Sequence, residues 1–174
     1  MGILLSPNNL AHYLVERGLI SWPSVVDGDF MVIDASSRHK NYRVLRGALP
    51  GLFVKQAHPF EPGSVETLTR EAELYECGVS EGPSDAGALP SLRAFDRANS
   101  ILVLELVEQT NDLFALSRLG EFPPAIGAAV GAAVGRFHEE SRSRLAATNL
   151  PRVLPWALRA SLDGSVFGPS QLGR

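Results

Sequence analysis

The stretch GLFVKQAHPFEPGSVETLTREAELYEC (residues 51–77) sets one lysine, Lys55, at the end of an apolar run and follows it, across a Pro-bearing loop, with a helical stretch crowded with glutamates. LFVKQ (52–56) reads as a strand, in which alternate side chains share a face, so Lys55 and Phe53 point the same way. Ser64 is placed to cap a helix running to about Cys77, with Glu66 in the first turn, where the helix dipole favours a carboxylate. At about 100° per residue, Val65, Leu68, Ala72 and Tyr75 fall on one side of this helix and Glu66, Arg70 and Glu73 on the other. Glu71 lies on the flank of the apolar stripe, between Leu74 and Tyr75, so a helix packed on a sheet carries this carboxylate inward. Two arrangements fit the spacing. In one, Lys55 is inside, and because an isolated buried ammonium is too costly to keep charged, Glu71 is its required partner. In the other, Lys55 ends an exposed strand and Glu71 sits on a solvated helix flank.

Upstream, SPNNLAHYLVERGLI (6–20) offers Asn8 or Asn9 as an N-cap, then Leu10, Tyr13 and Leu14 at helical spacing, and a stop at Gly18. Past the turn-rich SWPSVVDGD (21–29), FMVIDA (30–35) and YRVLR (42–46) read as strands around the polar loop SSRHKN (36–41), and GALPG (47–51) turns the chain into LFVKQ. Connections this short predict an antiparallel meander, since parallel strands need longer crossovers. Downstream of the glutamate helix, GVSEGPSDAGALP (78–90) is a loop, and SLRAFDRANSILVLELV (91–107) predicts a hairpin turning at DRAN. From Glu108 the pattern becomes helical: DLFALSRLG (112–120), then PPAIGAAVGAAVGRFHEESRSRL (123–145), opened by Pro123 and Pro124. The order is α+β: helix, three strands, helix, two strands, then helices. It divides the chain into a sheet-bearing lobe at 1–107, a hinge ELVEQTND with the first helices of a second lobe at 108–150, and an irregular tail at 151–174.

The chain has 174 residues, enough for one medium domain or two small lobes. With 16 basic and 19 acidic residues it carries a net charge of −3, so no surface-wide positive field exists to hold a nucleic acid or an anionic membrane. One cysteine, Cys77, cannot form an internal disulfide, no Cys/His spacing reads as a zinc site, and a reducing cytoplasm is the expected compartment. MGILLSPNNL has no basic leader and too short an apolar run for a signal peptide; Gly2 and Ser6 match the short myristoylation pattern, which an ordinary N-terminus also meets.

Taken together, NYRV (41–44), LFVK (52–55), REAELY (70–75), ILVLELV (101–107) and VGRFH (134–138) resemble, in order and separation, the aminoglycoside phosphotransferase family and its choline-kinase-like relatives, within the protein-kinase-like fold. The likeness covers residues 30 to 140 and rests on the set, since none of these motifs is specific alone. It implies a kinase-like small lobe, a five-stranded antiparallel sheet with one packed helix, that binds ATP. Lys55 would then hold the α and β phosphates and Glu71 would orient it. ASSRHKN (35–41) stands where the family covers the phosphates but departs from the glycine-rich form, leaving Ser36 and Ser37 as donors. LVLELV would supply the adenine pocket, with backbone groups of Glu105 and Val107 at the base edge and Phe30, Val44 and Phe53 as apolar walls. The apolar character of that strand is equally that of a strand buried on both faces.

The resemblance also implies a catalytic aspartate in an HGD-like loop, a later asparagine and a second aspartate for Mg2+, and none of these is found. The only aspartate after His138 is Asp163, in SLDGSVFG, which reads as a turn. In the long helix Ile126, Val130, Ala133 and Phe137 form one stripe and Gly127, Gly131, Gly135 and His138 another, so burial against protein is expected, with His138 packed in a core. The small and apolar run is far short of the roughly 20 residues a membrane span needs. Two functions remain open. One is the ATP-binding lobe of a kinase acting on a small-molecule or peptide hydroxyl, catalytic once a missing helical lobe or partner subunit is supplied. The other is a non-catalytic binding or scaffold subunit of a biosynthetic complex.

Overall fold

The computed structural model describes residues 3–26, 29–36, 39–58, 60–76, 89–108, 116, 118, 120 and 123–145. Ser37, Cys77, most of 112–120, the loop at 78–88 and the tail with Asp163 lie outside the described residues.

Five antiparallel strands form one sheet in the order β1-β2-β3-β5-β4: β1 Phe30–Asp34, β2 Lys40–Arg46, β3 Leu49–Gln56, β4 Leu92–Asp96 and β5 Ile101–Glu105. The first three follow one another as the expected meander. Helix α3 (Ser64–Glu76) then carries the chain to the far edge, and the β4–β5 hairpin returns it beside β3. The protein is thus α+β, with β3 at the centre of its sheet.

Each sheet face is covered by a different helix. On one face α1 (Pro7–Glu16) lays Leu10, Tyr13 and Leu14 against Tyr42, Val44, Leu52, Val54, Ile101 and Val103. The N-cap of α1 is Ser6 rather than Asn8 or Asn9: Pro7 takes the first helical position, which needs no N–H donor, and the Asn9 side chain accepts from the Ser6 N–H at 2.7 Å. Gly18, at φ +67°, closes the helix in a left-handed conformation. The segment read as turn-rich contains a five-residue helix, α2 (Trp22–Val26), in which Pro23 is tolerated because it lies in the first turn.

On the opposite face α3 buries Leu68 and Ala72 against Ala57, Leu102 and Leu104, with Phe53, Tyr75, Leu92 and Phe95 at the margin. Val65, expected in the same stripe, is exposed in the first turn of the helix. Helix α4 (Pro124–Leu145) departs from expectation: among the described residues Val130 and Val134 are exposed and the Cβ positions of Gly127, Gly131 and Gly135 meet nothing within 4 Å. His138 is exposed there too, not packed in a core. Among the described residues no helix is long and apolar enough to cross a membrane.

Candidate functional site

Strand β3 alternates between the two covered faces. Val54 and Gln56 point to the α1 side, where Gln56 is buried, accepting from the Leu5 N–H and donating to the Ile3 carbonyl, each at 2.8 Å. Phe53 and Lys55 therefore point to the α3 side. Lys55 lies 5.7 Å from the centroid of the Phe53 ring, and its Nζ donates to Glu71 Oε1 at 2.5 Å. Both side chains are largely withdrawn from water, at 22% and 29% exposure, which makes this the inside arrangement of the two that the spacing allowed.

The remaining carboxylates of α3 turn away from the sheet. Glu66 pairs with Arg70 one turn on, and Glu73 and Glu76 both meet Arg97 in the β4–β5 turn, which ties the helix to the hairpin. At its start, Ser64 is buried: its Oγ accepts from the His58 N–H at 2.8 Å and lies 3.0 Å from His39 Nδ1. Tyr75, beside Glu71, has its hydroxyl pushed up to about 12 by burial, with the glutamate charge adding to the effect.

Beside the ion pair opens a cleft of about 390 Å³. Lys55 and Arg43 bring the cationic groups, Phe53, Leu104, Tyr75 and Pro90 the apolar surface, and the end of β5, from Glu105 to Val107, forms the rim. That rim is held firmly. The Leu106 N–H donates to the Gly51 carbonyl at 2.9 Å, and a Cβ on Gly51 would come within 2.8 Å of the Leu106 side chain and 2.9 Å of the Val44 carbonyl. The Glu105 N–H donates to the Ser91 carbonyl at 2.9 Å, and its carboxylate, on the α1 side of the sheet, pairs with Arg93 at 2.6 Å. Glu105 thus reaches the cleft through its backbone. A smaller cavity of about 160 Å³ is lined by Glu71, Leu74 and Tyr75 of α3, Leu89 and Phe137 of α4.

Lys55, Phe53, Glu105 and Val107 are brought together around one cleft, with Glu71 behind the lysine. Phe30 and Val44 are not. Val44 pairs with Leu52 and is fully buried on the α1 face, where Phe30 packs against the same cluster. The reason is parity: Arg43, not Val44, stands opposite Phe53, and Ile33 stands opposite Arg43. The cleft side of the sheet therefore carries the row Ile33, Arg43, Phe53, Leu104. Next to it run Asn41, Lys55 and Leu102, with the buried Asn41 Oδ1 meeting no hydrogen-bond partner among the described residues.

The β1–β2 connection is held by its own contacts. The Ser36 N–H donates to Asp34 Oδ1 at 2.8 Å and the Asn41 N–H to Ser36 Oγ at 3.2 Å. Hydrogen bonds from the Ser36 side chain and backbone hold the Asp34 carboxyl below the usual carboxylate range. The Ser36 N–H is therefore already engaged within the loop. Arg43, Tyr75 and Pro90 were not among the expected site residues, whereas Leu104 lies in the LVLELV stretch expected to supply the pocket. The signal for Arg43 was available in the pairing of β2 with β3, had the register been known.

No protein-family model matches the chain, and no curated protein matches it.

Proposed function

We propose that the chain is the ATP-binding lobe of an aminoglycoside-phosphotransferase-like kinase, within the protein-kinase-like fold, whose complete form transfers the γ-phosphate to a small-molecule or peptide hydroxyl. The observation that carries the reading is the Lys55–Glu71 pair at the inner wall of a cleft whose outer rim is the end of β5. A carboxylate that fixes an ammonium in advance suits it to the spread negative charge of a phosphate chain, because no reorganisation is needed on binding. In this reading Lys55 meets the α and β phosphates, Glu71 orients it, Phe53 walls the base, and backbone groups of Glu105 and Val107 face the base edge. Ser36 and Ser37 lie in the connection assigned to the phosphates.

In this reading Mg2+ belongs to the complete enzyme, whose second lobe would carry the aspartate that holds it. No HGD occurs in the sequence, so transfer is assigned to an assembly in which a second lobe supplies the aspartate. The second reading, a non-catalytic subunit that holds a partner, is favoured by the exposed Val130 and Val134 of α4. Calorimetric titration of the folded chain with ATP separates the two. Saturable binding that weakens about tenfold or more in Lys55→Met supports the nucleotide reading. A folded chain that takes no ATP, or an unchanged affinity in Lys55→Met, discards it and leaves the partner-holding subunit.

A further inference from the structure

We infer that Arg43 is a base-contacting residue of the cleft, its guanidinium stacking on the face of the nucleotide base; this rests on the nucleotide reading above. The strand register sets the position. Arg43 stands opposite Phe53, and Phe53 opposite Leu104, so this row adjoins the rim that begins at Glu105. Lys55 lies one row further in, two residues along β3, or about 7 Å. A ligand with its base edge at the rim and its phosphates at Lys55 passes under Arg43 with its ring, not with its phosphates.

The chemistry agrees. Arg43 lines the cleft and is exposed, and among the described residues no carboxylate pairs with it. Lys55, by contrast, is matched by Glu71. Among the described residues lining the cleft, Arg43 is thus the cation that no carboxylate offsets, and it is a planar one. A guanidinium, more weakly hydrated than an ammonium, is suited to lie flat on an aromatic face. Such a contact reads the π-face, which every base has, so it strengthens binding without choosing between bases. Phe53, in the same row, lines the cleft beside Arg43 and offers the ring an apolar neighbour.

The test is titration of the full chain and of Arg43→Leu and Arg43→Lys with two probes, ATP and adenosine. An exposed side chain that meets no ion-pair partner among the described residues is replaced with little effect on folding, which circular dichroism checks. Arg43→Leu is expected to weaken adenosine and ATP by a similar factor, about three- to thirty-fold, with Arg43→Lys recovering only part. Unchanged adenosine affinity in Arg43→Leu overturns the inference whether or not ATP weakens, since a loss confined to ATP places the guanidinium on phosphate. Full recovery by Arg43→Lys, or a wild-type chain that takes ATP but no adenosine, overturns it as well. These results leave the nucleotide reading standing, whereas a wild-type chain that takes neither probe removes both.

Discussion

The contact that joins sheet to helix gives a measurable coupling. With Lys55 Nζ and Glu71 Oε1 2.5 Å apart, the gross attraction at an effective dielectric of about 20 is roughly 7 kcal/mol. Withdrawing both charges from water offsets most of this. With 22% and 29% of the two side chains still exposed, the pair lies between two limits. Surface pairs are worth about 0.2–1 kcal/mol, and removing one member of a buried pair costs about 3–5 kcal/mol. A coupling of about 1–2 kcal/mol follows. Lys55→Met and Glu71→Gln should each lower the urea midpoint by about 0.5–1 M, given a slope of about 2 kcal/mol per M. The double variant should lose little more than either single one, because the second change removes a partner already gone. The assay is urea unfolding followed by circular dichroism on all four proteins. Single effects that add within about 0.3–0.5 kcal/mol would refute the pair as an energetic contact.

Two further outcomes follow from other parts of the sheet. Burial raises the Asp96 carboxyl, but hydrogen bonds from Asn99, the charge of Arg17 and the Tyr13 hydroxyl outweigh it and leave the group below its ordinary value. A depressed carboxylate contributes stability that is fully present above its unfolded value and is lost as pH falls through the folded one. Wild type should therefore exceed Asp96→Asn in thermal midpoint at neutral pH and converge with it on acidification; a gap constant down to strong acid contradicts this. Gly51→Ala forces a Cβ against the Leu106 side chain and the Val44 carbonyl, the second of which is backbone and yields little. A cost of about 1–3 kcal/mol in urea unfolding is expected, and an unchanged midpoint counts against the close approach.

The lysine and glutamate were legible because each needed only the period of its own element: parity along β3 and angle around α3. The cleft walls needed more, namely the register between strands, which sets Arg43 and not Val44 opposite Phe53. Val44 is apolar, as a ligand wall would be, and nothing within its own strand separates it from one. Its apolar character answers to α1 instead, whose Leu10, Tyr13 and Leu14 demand an apolar sheet face of their own. Recognising a sheet covered on both sides would have assigned Tyr42 and Val44 to α1 and left Arg43 to the cleft. Composition alone misled at α4, where small residues all round suggested burial that the described residues do not provide.

The two faces divide the labour of the sheet. Residues on either side of Lys55 along the strand, Val54 and Gln56, are fixed from the α1 side, one by complete burial and the other by hydrogen bonds to the Ile3 and Leu5 backbone. The ammonium is thereby placed by a rigid central strand rather than by a loop. Glu71 is positioned by its helix, which is held through Leu68 and Ala72, Ser64 at its start and Arg97 near its end. Of the two partners, the lysine takes its place from its own strand and the carboxylate from the packing of its helix, so the 2.5 Å contact depends on the α3 anchors as much as on β3.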